Sequence, residues 1–244
     1  VNLYNELSFE YRHSSVSKSI EYLRKAIVIS DKNDYKAGKI RSLVLLGIIY
    51  KNSGKYDEAI KYLLQAMKIA ESINNQQQIS ICLNNIGNVY QMQENYSIAL
   101  NYYNRSLIIE EQLDNKEQKS IRYYNIGTIY ELTDSLEKAY SYYYNSLIIE
   151  QELNNKEGIL YALYGIAGVD IKKEDFEGAE KNLNKAMDIA KEIDDPAGIA
   201  SCYNELGKLY RARNQYQKAI NHFNQCIFYA DSIGYLSEIK SAFF

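Results

Sequence analysis

The sequence predicts an all-α protein, an α-solenoid built from stacked antiparallel helix pairs. A skeleton of apolar and small residues returns every 40 residues along the chain. Each period holds two helical patterns that a short polar turn separates. A constant period of this size is typical of solenoids, in which each unit buries its apolar face against its neighbours.

Segment 80–113 shows the skeleton most clearly. Its first half places Leu83, Ile86 and Tyr90 at the three- and four-residue spacing of one helix face. After a polar turn, Ala99 and Tyr103 begin the same spacing again. The period before has Leu43, Leu46, Gly47, Tyr50, Ala59 and Leu63 at these positions, and the period after has Tyr123, Ile126, Gly127, Tyr130, Ala139 and Tyr143.

We expect a single solenoid over residues 1–244, with about five full repeats between a degenerate N-terminal repeat and a truncated C-terminal helix. The approximate repeat boundaries are 1–33, 34–73, 74–113, 114–153, 154–193 and 194–233, with a partial repeat at 234–244. Because the chain begins at Val1 rather than Met and stops within a repeat, we expect it to be part of a longer protein.

Helix starts are indicated where one period meets the next. The junctions end in Asn or Asp, which are favoured N-cap residues. These junction residues are Asn75, Asn115, Asn155 and Asp195. The single proline, Pro196, follows directly at the first helical position, where its missing N–H is not needed.

Four mid-helix glycines need a packing reason, because Gly in a helix interior costs up to about 1 kcal/mol relative to Ala. They are Gly47, Gly87, Gly127 and Gly207. We expect each to allow close approach of a neighbouring helix, with an alanine such as Ala59 or Ala99 as its counterpart.

Composition narrows the function class. The net charge of −3 argues against nucleic acid binding, which depends largely on Lys and Arg. No apolar run approaches the about 20 residues that span a bilayer, so we expect no membrane insertion. Cys82, Cys202 and Cys226 form no metal-binding or redox motif, and we interpret them as packing residues.

Catalytic patterns are absent from the sequence. No phosphate-binding loop, nucleophile elbow or paired acid and base is present. His13 and His222 have no partner at ligand spacing. We therefore expect a protein that is not an enzyme and that has no metal and no cofactor.

The pattern Leu-x2-Leu-Gly-x2-Tyr followed by Ala-x3-Leu, from Leu43 to Leu63, resembles the tetratricopeptide repeat. It recurs from Leu83, Tyr123 and Tyr203. The period is 40 residues instead of about 34, so the helices are expected to be longer. This long variant is similar to repeats of kinesin light chains, of bacterial quorum-peptide receptors, and of sensor domains attached to bacterial histidine kinases or transcription regulators. The opening segment looks most like those sensor domains.

The resemblance implies a superhelix whose first helices line a concave groove for a protein or peptide. Carried over position by position, the groove residues are Arg41, Asn84, Asn88, Gln91, Tyr124, Thr128, Tyr161, Tyr164, Asn204, Lys208 and Arg211. Asn can bind a peptide backbone because it offers a donor and an acceptor, and Tyr joins an apolar ring to a polar tip. We interpret Asn84, Asn88 and Gln91 as polar residues that the helix stack does not need.

The fourth full repeat departs from the pattern. Ala167 replaces the glycine, Gly168 replaces a larger groove residue, and Asp170 replaces a tyrosine. The departure could mark a functional site or could be drift in a tolerant surface. The residues required to clamp a chaperone tail are missing, since Asn84, Tyr124 and Tyr164 occupy the central positions.

Two functions remain open. The first is a peptide-binding sensor or scaffold domain of a bacterial signalling protein, placed by the resemblance in the cytoplasm or periplasm, with the periplasm favoured. The alternative is an assembly scaffold that forms a homo-oligomer, for which the apolar end residues Phe243 and Phe244 provide a surface.

Overall fold

A computed structural model describes residues 1–11 and 15–232 of the chain. Within these residues the secondary structure consists of twelve α-helices. The helices are α1 (Asn2–Tyr11), α2 (Val16–Lys32), α3 (Lys36–Asn52), α4 (Tyr56–Ser72), α5 (Gln76–Met92), α6 (Tyr96–Gln112), α7 (Lys116–Leu132), α8 (Leu136–Glu152), α9 (Lys156–Lys172), α10 (Phe176–Glu192), α11 (Pro196–Ala212) and α12 (Tyr216–Ser232). All except α1 are 17 residues long.

The linkers between α2 and α12 all end their helices in the same way. After α3, the N–H of Gly54 donates to the carbonyl of Lys51 over 3.0 Å, and the N–H of Lys55 donates to that of Tyr50 over 2.9 Å. In this Schellman arrangement the middle residue takes a left-handed conformation. Gly54 has a φ of 70°, and the nine equivalent residues, all Asp, Asn or Glu, have φ between 47° and 62°. Three-residue linkers of one geometry therefore join helices of one length.

Side-chain caps support some of the helix starts that the sequence indicates. Asn75 Oδ1 accepts the N–H of Gln78 over 3.0 Å, and Asn155 Oδ1 accepts the N–H of Gly158 over 3.3 Å, as predicted. Asp195 is the N-cap residue of α11, as predicted, although its side chain accepts no such bond. Pro196 is nevertheless the first residue of α11, and its fixed φ suits this position.

The mid-helix glycines lie beneath a large side chain of the following helix. A Cβ at Gly87 would lie 2.6 Å from the Tyr103 ring. The same relation joins Gly47 to Leu63, Gly127 to Tyr143 and Gly207 to Phe223. Close approach is thus confirmed, but the group nearest each glycine is this large side chain and not the alanine that the sequence suggested.

The helices fall into two compact units, residues 1–115 and the residues from Lys116 onward. In the first unit, each helix from α1 to α6 packs against the next, and the first helices of successive pairs also touch, α1 with α3 and α3 with α5. Its buried core includes Leu43, Leu63 and Ile86.

The second unit repeats this arrangement from α7 to α12. Consecutive helices pack together, and α9 contacts both α7 and α11. Its buried core includes Tyr143, Leu163, Leu183 and Leu206. Helix pairs stacked in sequence order, with a repeat of 40 residues, confirm the predicted solenoid.

Several sequence expectations concern residues beyond those described. The partial repeat 234–244, with Phe243 and Phe244, lies outside the described residues, and so does His13. Among the helices that are described, none is both long and apolar enough to cross a bilayer. All three cysteines are buried and outside any disulfide, which agrees with their interpretation as packing residues.

Candidate functional site

The predicted groove residues all lie on first helices of the pairs, divided between the two units. Four lie on α3 and α5 of the first unit: Arg41, Asn84, Asn88 and Gln91. Seven lie on α7, α9 and α11 of the second unit: Tyr124, Thr128, Tyr161, Tyr164, Asn204, Lys208 and Arg211. Each unit therefore presents its own surface of first helices, and each surface has its own chemistry.

On α5, the polar residues are tied to the packing of the next helix. The Tyr103 ring crosses over Gly87, and its hydroxyl lies 2.7 Å from Asn88 Oδ1 and 2.6 Å from Gln91 Oε1. Asn84 is only 9% exposed. The interpretation of these residues as unnecessary for the stack is therefore wrong, because Asn88 and Gln91 accept hydrogen bonds from a buried tyrosine of α6 and Asn84 is itself buried.

On α7 the same arrangement recurs with other side chains. The Tyr143 hydroxyl donates to Glu131 Oε2 over 2.8 Å and lies 3.2 Å from Thr128 Oγ1. Lys172 forms an ion pair with Glu131 over 3.2 Å. Burial raises the pKa of Tyr143, and the Glu131 charge adds to the increase, so this hydroxyl stays protonated and remains a donor.

Full repeats that lack a tyrosine at the Tyr103 position also lack hydrogen-bond acceptors at the positions of Asn88 and Gln91. Where Leu63 replaces Tyr103, the first helix carries Ile48 and Lys51 at the positions of Asn88 and Gln91. Where Phe223 replaces it, Lys208 and Arg211 occupy those positions. Acceptors on the first helix thus accompany a hydroxyl from the second helix. Because Phe223 has no hydroxyl, Lys208 and Arg211 have no such hydrogen bond to form.

An aromatic cluster forms the centre of the first-helix surface in the second unit. The ring centroids of Tyr124 and Tyr161 are 6.4 Å apart, and those of Tyr161 and Tyr164 are 6.3 Å apart, both edge to face. The Tyr164 hydroxyl donates to the carbonyl of Gly198 over 2.5 Å, which links α9 to α11. Tyr161 is 49% exposed, so the structure holds this ring in place and leaves half of it open.

Charged groups border the aromatic cluster. On α11, Lys208 Nζ lies 2.6 Å from Glu205 Oε1, and Asn204 Nδ2 donates to the same oxygen over 3.3 Å. Arg211 is exposed one turn further along. Burial, together with the smaller effects of Glu131, Tyr161 and Glu205, raises the pKa of Tyr124 to about 12. Tyr124 is therefore a neutral hydrogen-bond donor at physiological pH.

Glu205 was not among the residues chosen from the sequence, although the repeat provides a signal for it. It occupies the position of Asn85 and Asn125, which lie beside the face that the resemblance assigns to binding. A carboxylate at a position that carries Asn in other repeats is a departure that the 40-residue period makes visible.

Metal and thiol chemistry find no support in the part of the chain that is described. No group of three or more His, Cys, Asp or Glu residues there could hold a metal ion. Burial raises the pKa of the Cys82 thiol to about 12 and that of Cys202 to about 11. Both thiols are therefore protonated at physiological pH and poor nucleophiles.

The comparisons with solved structures agree with this fold. BtubC from P. vanneervenii superposes with a TM-score of 0.77 at 15% identity, over 90% of this chain and 92% of that one. A Signal Transduction ATPase with Numerous Domains protein with a tetratricopeptide repeat sensor, from Pyrococcus horikoshii, gives 0.74 at 19% identity, over 100% of this chain and 38% of that one.

A third similar structure is the Rap conjugation gene regulator of the plasmid pLS20 in complex with the Phr* peptide. Its TM-score is 0.71 at 15% identity, over 96% of this chain and 75% of that one. Comparison with curated protein sequences gives no significant match. At these identities the likeness establishes the fold.

The sequence comparison with family models is more specific. The model of the tetratricopeptide repeat matches four overlapping segments, residues 39–112, 78–147, 117–192 and 158–227. These segments run without a gap from the first full helix pair into α12. The chain therefore belongs to the tetratricopeptide repeat family.

Proposed function

We propose that the chain is a protein-interaction domain that binds an extended peptide segment along the first helices of its repeats. The observation that carries this proposal is the cluster of Tyr124, Tyr161 and Tyr164, a partly exposed aromatic surface whose rings are held by neighbours. Tyrosines that are already ordered offer apolar contact area at a small cost in side-chain entropy.

The groups around the cluster provide the polar contacts that a peptide backbone needs. Glu205 accepts hydrogen bonds, and Asn204 and Lys208 donate them. In the first unit, we assign Arg41 and Asn84 to recognition, with Asn88 and Gln91 serving both the Tyr103 hydroxyl and the surface. Thr128 and Arg211 complete the proposed surface of the second unit.

Two of the similar structures support a role in signalling. One is a regulator solved with a peptide, and another carries a tetratricopeptide repeat sensor. We propose that this chain is likewise the input domain of a bacterial signalling protein, a histidine kinase or a transcription regulator. The complete reading frame tests this finer proposal. A kinase or DNA-binding domain in it is the expected result, and a frame that holds repeats alone would contradict it.

Selection of displayed random peptides against the wild-type chain tests the binding surface. Peptides that bind are labelled, and their affinity is measured by fluorescence polarisation. We expect Tyr161→Ala to weaken binding by about tenfold or more, because an aromatic anchor at an interface centre contributes most of the binding energy.

Tyr216→Ala is the matched control, since Tyr216 is 61% exposed but lies on a second helix. It should leave the affinity unchanged. Equal affinity of the wild type and Tyr161→Ala for every selected peptide, or a failure to select any peptide, would show that the proposed surface is wrong.

A further inference from the structure

One helix pair differs from the others where its two helices meet. In four pairs a tyrosine near the end of the first helix stacks on an aromatic ring of the second. The ring pairs are Tyr50 with Tyr62 at 5.3 Å, Tyr90 with Tyr102 at 5.5 Å, Tyr130 with Tyr142 at 5.4 Å and Tyr210 with His222 at 5.0 Å. Between α9 and α10, Asp170 and Asn182 occupy both positions, and Asn182 Nδ2 donates to Asp170 Oδ2 over 3.0 Å. The two replacing side chains therefore form a hydrogen bond where the other pairs have stacked rings.

This double replacement removes two rings and leaves a cavity of about 410 Å³ beside Asp170 and Asn182. Tyr140 of α8 forms another part of its wall. Gly178 widens it, because other repeats carry Glu58, Ile98, Lys138 or Lys218 at that position. Random drift at a single surface position would change one side chain only. Here the side chains at positions 170, 178 and 182 are all smaller than in most other repeats, and all three line the same cavity.

Lysines gather at the same cavity. Lys173, Lys181 and Lys185 line it, and this is the only full repeat with a basic residue at all three of these positions. The two carboxylates of the cavity are already engaged, Asp170 by Asn182 and Asp175 by the N–H of Gly178 over 3.0 Å. Lys181 and Lys185 are exposed and form no ion pair with the described residues. The cavity thus offers two ammonium donors with which no described carboxylate forms an ion pair.

A second cavity of about 530 Å³, in which most of the lining residues are apolar or aromatic, continues from the first and shares Tyr140, Asn182 and Lys185 with it. Tyr144 of α8 and Leu163 of α9 line the continuation, and Tyr144 is 47% exposed. The carboxylate of Asp188 also lines it. The two cavities form one groove with α8 and α10 as walls and α9 as floor, with most of the lysines in the first cavity and most of the apolar side chains in the second.

We propose that this groove is a second binding site, on second helices, for an acidic segment of a protein partner. An Asp or Glu side chain of the segment lies between Lys181 and Lys185, and a neighbouring apolar side chain packs against Tyr144 and Leu163. The charge of the two unpaired ammonium groups selects the carboxylate, and the apolar end selects its neighbour. This site is separate from the first-helix surface that contains Tyr161.

An array of short peptides with Asp or Glu next to Leu or Phe, each paired with its Asn or Gln counterpart, provides the probe. Binding to the whole chain is measured by fluorescence polarisation at low and high salt. We expect the acidic peptides to bind at least about tenfold more tightly than their amide counterparts, with a difference that shrinks as salt rises.

Two variants locate the binding. The double substitution Asp170→Tyr with Asn182→Tyr restores the ring pair of the other repeats and fills the polar cavity. Lys181→Gln with Lys185→Gln removes two exposed charges and leaves the core untouched. Each double substitution should lower the affinity for the acidic peptides by about tenfold or more. Circular dichroism and thermal melting show whether each variant keeps the fold.

Tyr161→Ala should leave this binding unchanged, which separates the groove from the first-helix surface. The proposal is overturned if no acidic peptide binds or if amide peptides bind equally well. It is also overturned if the lysine variant, which does not depend on repacking, binds as tightly as the wild type.

Discussion

At the scale of single residues, Gly87 and Tyr103 act as one unit. The missing side chain lets the ring cross α5, and the hydroxyl then reaches Asn88 and Gln91 on the far side. The helix loses propensity at Gly87 but gains a buried ring whose polar end is satisfied. The glycine, the ring and the acceptors are therefore three parts of a single packing solution.

Gly87→Ala tests this unit. An alanine normally stabilises a helix interior by up to about 1 kcal/mol. Here its Cβ would lie 2.6 Å from a fully buried ring, so we expect a loss of about 1–3 kcal/mol in the free energy of unfolding. Gly168→Ala is the matched control, because its Cβ meets only the flexible Glu131 carboxylate, at 3.2 Å. Urea titration measures both, and a Gly87→Ala variant as stable as the wild type would contradict the assignment.

Asp170 makes stability depend on pH. Burial raises its pKa from 3.8 to about 6, against the smaller opposing effect of the Asn182 hydrogen bond. Between about pH 4 and 6 the folded chain holds a proton that the unfolded chain has released, so this carboxyl stabilises the fold less as pH rises through that window.

Asp170→Asn removes the titration and keeps a hydrogen-bonding side chain. We expect the variant to gain stability relative to the wild type as pH rises from 4 to 7, by on the order of 2 kcal/mol at most. Thermal melts of both proteins across this range measure the difference. A difference that is constant with pH would show that Asp170 has an ordinary pKa.

At the scale of the helices, the linkers set the spacing. Each linker from α2 to α12 has a central residue in the left-handed conformation, and only Gly54 among them is a glycine. Asn and Asp tolerate this conformation better than other residues with side chains. Glu94 and Glu174 lack that advantage and adopt φ values of 58° and 62°.

Substitutions at two linkers should have opposite effects. Gly54→Ala should destabilise the chain by about 1 kcal/mol, because a Cβ is disfavoured at positive φ even though no atom lies within 4 Å of it. Glu94→Gly should be neutral or stabilising by up to about 1 kcal/mol, since the relief of strain exceeds the entropy that glycine adds to the unfolded chain. Equal melting temperatures for the wild type and Gly54→Ala would count against this account.

At the scale of the whole chain, stability is distributed among neighbouring helices. Within each unit the contacts join consecutive helices or the first helices of successive pairs. In such an array the stability of a repeat depends mainly on itself and its neighbours. A local defect should therefore stay local.

Hydrogen exchange in the Gly87→Ala variant checks this expectation. Amides of α5 and α6 should exchange about 5–30-fold faster for a loss of one or two kcal/mol, and faster still at the upper end of the predicted range. Amides of α11 and α12 should keep the exchange rates of the wild type. A uniform acceleration in all helices would instead show that the chain opens as one cooperative unit.

The 40-residue period is sufficient to predict the helix pairs, because helices and turns are determined largely by residues that are close together in the sequence. It could not predict which polar residues belong to the stack, since the Tyr103 hydroxyl arrives from another helix. In the sequence, Asp170 is only a departure from the tyrosine that the other full repeats carry. Its meaning required knowing that Asn182, twelve residues later, faces it and changes with it.

The passage of a tyrosine over a glycine affects how specificity could evolve in this chain. A ligand lying along α5 would meet Asn88 and Gln91, yet their orientation is set by Tyr103, a residue of α6. Exchange of that tyrosine for phenylalanine would free both amides without altering any residue of the surface itself. On the proposed surface, sequence changes on the opposite helix would therefore alter recognition, and a comparison limited to surface residues would misjudge which relatives share a ligand.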